Sequence, residues 1–112
     1  MDDFSIKSER NGNVTVVAIS GRVDSVTAVT LDAELGKIVH ENNKIVLDLK
    51  DVVYLSSAGV RAIIKALQSA QKSEGGVKLA RVPGLVNDVL ENVGVMEVLK
   101  SYPSVDLAVA SF

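Results

Sequence analysis

The chain has no cysteine and no tryptophan, one histidine (His40), and only 4% aromatic residues among its 112 positions. Without cysteine there can be no disulfide framework, thiolate nucleophile or thiolate metal site. A single histidine excludes a two-histidine metal centre and any relay between imidazoles. So few aromatics provide no stacking platform for single-stranded nucleic acid. The net charge of −2 has the wrong sign for non-specific attraction to phosphate backbones, so no direct nucleic-acid partner is expected. No window approaches the roughly 20 apolar residues that span a bilayer. The segment from Met1 to Arg10 contains acids and no apolar run, unlike a secretory signal. These absences together lead us to expect a cytoplasmic protein without a membrane span.

What is present has an ordinary globular balance, 47% hydrophobic and 23% charged, which disfavours disorder. The expectation is a single domain, residues 1–112, burying about two-thirds of the surface its unfolded chain exposes. Phe4, Ile6 and Ser8 alternate over Phe4 to Glu9, and Asn11-Gly12 supplies a hairpin turn. Val14 to Ile19 is β-branched and nearly all apolar, the pattern of a strand covered on both faces and closed by Gly21. Ala28, Leu31, Leu35, Ile38 and Val39 then recur at helical spacing, with Asp24 or Ser25 as N-cap and Asn42-Asn43 as the stop.

Lys44 to Leu49 reads as a second apolar strand, and Val52 to Leu55 as a short apolar strand exit. Val60, Ile63, Ile64 and Leu67 form the stripe of a second helix, stopped by Gly75-Gly76. Val77 to Val82 predicts a short strand. Pro83 opens a third helix with the stripe Leu85, Val86, Val89, Leu90 and Val93, ended by Gly94. Met96 to Lys100 adds a helical turn, and Val105 to Val109 a final strand. Strands alternating with helices imply an α/β domain with a mixed central sheet and helices packed against it.

Few residues are placed to carry chemistry. Neither a P-loop nor a G-x-G-x-x-G run is present. A response-regulator receiver, comparable in length, would need an acidic pair after its first strand, and none follows Ile19. His40 falls near a helix end, where a cation is favoured and a surface role suffices. Asp48 and Asp51 suit turn or cap positions better than a paired acid site. No acid/base constellation emerges, so an enzyme is not expected, and nothing calls for a cofactor or metal. Ser56-Ser57-Ala58-Gly59 differs from these, because it sets two hydroxyls at a helix start. A serine there commonly caps the helix. An exposed hydroxyl there would equally be a favourable position for a phosphate, beside free backbone N–H groups and the positive end of the helix dipole.

Three segments carry a family resemblance: Ile19-Ser20-Gly21-Arg22-Val23-Asp24, Ile45-Val46-Leu47-Asp48-Leu49, and Val53-Tyr54-Leu55-Ser56-Ser57-Ala58-Gly59-Val60. With them the chain resembles the STAS domain over essentially its whole length, and within that class the bacterial anti-sigma-factor antagonists. The family's phosphorylation motif is typically Asp-Ser-Ser/Thr-Gly, whose acceptor lies two places before the glycine. That position is Ser57, with Gly59 as the glycine. Ser56 stands where the family has Asp, and Ala58 where it has Ser/Thr.

The resemblance implies a partner switch. The unphosphorylated protein would bind an anti-sigma factor that is also a serine-protein kinase, freeing the sigma factor. Phosphorylation of Ser57 would release the antagonist, and a serine phosphatase would reset it. Asp24, Ser56, Ser57, Ala58 and Gly59 would form the partner-binding region, with Asp24 also a candidate helix cap. The alternative, kept open by the two departures, is a phosphorylation-independent STAS subunit of a transport or other multiprotein complex, in which Ser57 only caps the helix.

Overall fold

A computed structural model describes residues 3–112; Met1 and Asp2, the start of the expected domain span, lie outside the described residues. The elements follow the order β1 (Ser5–Asn11), β2 (Val14–Val23), α1 (Thr27–Glu41), β3 (Lys44–Leu55), α2 (Ser57–Lys72), β4 (Gly76–Ala80), α3 (Gly84–Asn92), β5 (Ser101–Tyr102) and α4 (Val105–Ala110). The five strands form one sheet in sequence order. A hairpin with Gly12 at φ +65° makes β1 and β2 antiparallel. The remaining neighbours are parallel, each joined through a helical crossover. The α/β class and the mixed sheet are therefore as the sequence implied, with Val14–Ile19 and Ile45–Leu49 as neighbouring interior strands.

Alternation sorts the side chains between two layers. Val17, Ile19, Ile45, Leu47, Leu49, Val77 and Leu79 face α1, α2 and α3, forming the main core with Leu31, Leu35, Ile63 and Leu90. On the other face Val14, Val16, Val46 and Ala80 pack under Ala108 of α4. That second cover stops short. Ala18 is exposed, and Asp48 on the same face is held by Arg81 through Nε–Oδ1 at 3.2 Å and Nη2–Oδ2 at 2.5 Å. Asp48 is thus one half of a sheet-face ion pair, although its Oδ1 also accepts the Lys50 N–H at 3.3 Å. It does not pair with the exposed Asp51 as an acid site.

Several expectations are corrected. Residues 105–109 are helical rather than a strand: Ser104 Oγ accepts the Leu107 N–H at 3.1 Å, and Val105, Ala108 and Val109 share the face turned to the sheet. Gly21 does not close β2, which runs on to Val23 with Gly21 at φ +86° beside the Asp3–Phe4 backbone. Lys44 to Leu55 is one strand, whose register against β2 shifts between Ala18 and Ser20 and again between Gly21 and Arg22. Leu85 is exposed instead of lying on the buried stripe of α3, and β4 ends at Ala80 before reaching Val82. At the end of α2 the left-handed residue is Glu74 (φ 65°). Gly75 is required for another reason, since any Cβ there would strike the Asn43 carbonyl. Among the described residues no helix is long and apolar enough to cross a membrane.

Candidate functional site

The two register shifts carry β2 and β3 to the same end of the sheet, where Val23 pairs with Leu55. The chain then leaves each strand into a helix, and the two exits are tied together by the Ser56 N–H donating to the Val23 carbonyl at 2.8 Å. Asp24 and the start of α2, Ser56 to Gly59, are therefore neighbours, as expected where adjacent parallel strands end. This is the end of an α/β sheet where sites commonly form.

Asp24 closes a reciprocal cap over the turn that leads into α1. Its Oδ1 accepts the N–H groups of Val26 at 3.0 Å and Thr27 at 2.9 Å, while its own N–H donates to Thr27 Oγ1 at 2.9 Å. Its carbonyl accepts the Ala28 N–H at 2.9 Å, so the helical hydrogen bonding begins at Asp24 even though regular α1 starts at Thr27. The bond from the Thr27 backbone is the largest influence on this carboxyl. With help from the Thr27 hydroxyl, the Val26 N–H and the Arg22 charge, it outweighs desolvation and lowers the pKa below the ordinary aspartate value.

The two serines divide their roles. Ser56 has extended backbone (φ −81°, ψ 166°), and its Oγ accepts the Gly59 N–H at 3.2 Å, so Ser56 is the N-cap of α2. Ser57 is the first helical residue and is exposed. Capping therefore falls to Ser56, which leaves the Ser57 hydroxyl outside the cap. No acidic residue occupies the first turn of α2. Ala58 is half-buried. Gly59 is buried, and a Cβ there would lie 2.7 Å from both Leu55 Cδ1 and Val23 Cγ1. Gly59 thus lets α2 close down on the strand ends and sets the position of Ser57, presenting no surface of its own.

Sequence patterning missed what surrounds these residues. Val26 and Val29, at 75% and 71% exposure, stand off the buried Ala28–Leu31–Leu35 stripe of α1. Between α1, on the side of Val29, and α2 runs a groove of about 320 Å³, lined by Ala28, Val29, Asp32, Ala58, Arg61 and Lys65 among others. Lys65 Nζ bonds Asp32 Oδ2 at 3.3 Å across it. On the β3 side Val53 and Tyr54 are also exposed, and the Arg22 guanidinium lies 4.4 Å from the Tyr54 ring centroid. One sequence signal was available: β-branched apolar residues at 26 and 29 that do not fit the helical stripe. His40 lies exposed in the last turn of α1, away from this end.

A family model described as the STAS domain matches residues 5–108, and the chain belongs to that family. It is 30% identical over 110 residues to BtrV of Bordetella bronchiseptica, a protein described as a candidate anti-sigma factor antagonist; the match covers 97% of this chain and 95% of that one. It is also 30% identical over 63 residues to RsfB of Mycobacterium tuberculosis, an anti-sigma-F factor antagonist, covering 55% and 52% of the two chains. Among solved structures it superposes on an anti-sigma factor antagonist from Mycobacterium paratuberculosis with a TM-score of 0.89 and 26% identity, over 98% of this chain and 94% of the other.

Proposed function

We propose that the chain is an anti-sigma-factor antagonist that works by partner switching, with Ser57 as the phosphorylated residue and no catalytic activity of its own. The observation that carries this reading is the exposed Ser57 hydroxyl, freed from capping by Ser56, with its neighbour Ala58 lining the same groove as the exposed Val29. The unphosphorylated surface, apolar with a charged rim of Arg61, Lys65 and Asp32, suits a protein partner better than a small substrate. That partner is an anti-sigma factor with serine-kinase activity, met in the cytoplasm.

In the forward step the kinase moves the γ-phosphoryl of ATP onto Ser57 Oγ, the hydroxyl proton leaves, and ADP is released. About −1.5 to −2 charge then stands at the start of α2 at pH 7. The helix terminus tolerates it, as the first turn holds no competing acid. The partner interface does not, because a phosphate pressed against an apolar contact loses its water without recovering equivalent bonds. Dissociation therefore requires no refolding, and a serine phosphatase restores the binding form.

Ser56 in place of Asp and Ala58 in place of Ser/Thr keep a second reading in view, a STAS subunit that binds its partner regardless of Ser57. Competition decides between them. With the cognate anti-sigma factor loaded with its sigma factor, wild-type protein should displace the sigma factor, and Ser57→Asp should need at least about tenfold more protein to do so. Equal displacement by both proteins would favour the second reading.

A further inference from the structure

The sheet has two edges. β5 contributes only two residues to one of them, whereas β1 contributes seven to the other, with β2 its only strand neighbour among the described residues. The outer N–H and C=O groups of such a strand are a template for another strand. Like-signed charge along an edge discourages that pairing, but here the signs alternate. Ser5, Lys7, Glu9 and Asn11 point to one face, and Ile6, Ser8 and Arg10 to the other. Ser8 is the middle residue of Ser5–Asn11.

An antiparallel pairing of two copies about a two-fold axis through Ser8 overlaps the whole strand. It sets Lys7 opposite Glu9 of the second copy, once on each side of the axis. On the other face it lays the Arg10 methylenes beside Ile6, which is only partly buried in its own core. Moving the axis to Lys7 or to Glu9, the nearest registers that keep the helices of both copies on one side, shortens the overlap. Those registers also place lysine against lysine or glutamate against glutamate. The register of greatest overlap is thus the one with complementary charges. We propose that β1 is a self-association surface, on which a second copy of this chain pairs edge to edge and joins two five-stranded sheets into one. Asp24 and Ser57 are not part of β1, so self-association is independent of the function proposed for Ser57.

Sedimentation equilibrium of the full chain at low salt, from about 10 μM to about 1 mM, tests this in the range expected of a small interface. The wild type should dimerise reversibly across that range, and raising salt from about 50 mM to about 500 mM should weaken the dimer. Lys7→Glu and Glu9→Lys should each weaken it about tenfold or more, because each sets like charges opposite one another. The double variant Lys7→Glu/Glu9→Lys restores complementarity and should return the dimer to within about threefold of wild type. Both positions are exposed, and circular dichroism will confirm the fold of each variant. A wild type that stays monomeric throughout overturns the proposal. So does a dimer indifferent to salt and to the single reversals, or a double variant as weak as either single one.

Discussion

The division of labour between two adjacent serines has a consequence that can be measured without any partner. In Ser56→Ala the Gly59 N–H loses the hydroxyl oxygen that accepts it at 3.2 Å. Loss of an N-cap costs about 0.5–2 kcal/mol. Gly59 is buried against Val23 and Leu55, so water replaces that acceptor poorly and the cost should fall at about 1–1.5 kcal/mol. Ser57→Ala removes an exposed hydroxyl with no hydrogen bond among the described residues and substitutes a better helix former. It should be neutral or stabilising by up to about 0.5 kcal/mol. The variants should therefore differ by about 1.5 kcal/mol, or about tenfold in the unfolding constant. Urea denaturation at neutral pH reads this as a lower midpoint for Ser56→Ala at unchanged slope. If Ser57→Ala loses as much stability as Ser56→Ala, the cap has been assigned to the wrong serine and the hydroxyl offered to a kinase is not free.

Three further outcomes are expected. Gly59→Ala, which must accommodate two 2.7 Å contacts, should cost about 1–3 kcal/mol by urea denaturation; a neutral result would mean that α2 does not sit as tightly on the strand ends as the structure has it. Because the Asp24 pKa is lowered by folding, its stabilising contribution is present above the ordinary carboxylate range and lost as pH falls through the lowered value. The stability gap between wild type and Asp24→Asn should accordingly be widest near neutrality and close in acid, and a gap that does not change with pH would refute the assigned bonds. Val29→Glu, at an exposed position, should leave the thermal midpoint within about 2 °C of wild type while weakening anti-sigma-factor binding at least about tenfold, measured by titration calorimetry.

Much of the fold was legible because burial writes a period into the sequence. Val14 to Ile19 and Ile45 to Leu49 are apolar on both sides of the pleat, and they are the strands flanked by neighbours on both edges. The pattern fails where the backbone changes register. Leu49 and Val52 are both buried while Lys50 and Asp51 between them are both exposed, so a single strand reads as two pieces. It fails again at 105–109, where β-branched valines four residues apart fit a short helix as well as a strand, and only the Ser104 cap decides.

For the site, position two before Gly59 pointed to Ser57 by resemblance, and the structure adds why its hydroxyl is available. That the cap falls on Ser56 rests on the extended backbone of that residue, which composition does not encode. The exposed valines at 26 and 29 left one trace in the sequence, as β-branched apolar residues off the helical stripe, but a helical period marks the buried face and not what the other face meets.

Mass spectrometry with site mapping, after incubation with the cognate anti-sigma kinase and ATP, tests the central claim most directly. Wild type and Ser56→Ala should each gain one phosphate on Ser57 and leave the complex, whereas Ser57→Ala should gain none and stay bound. Modification at Ser56, or an unmodified wild type whose Ser57→Asp variant still binds the anti-sigma factor normally, would contradict the account.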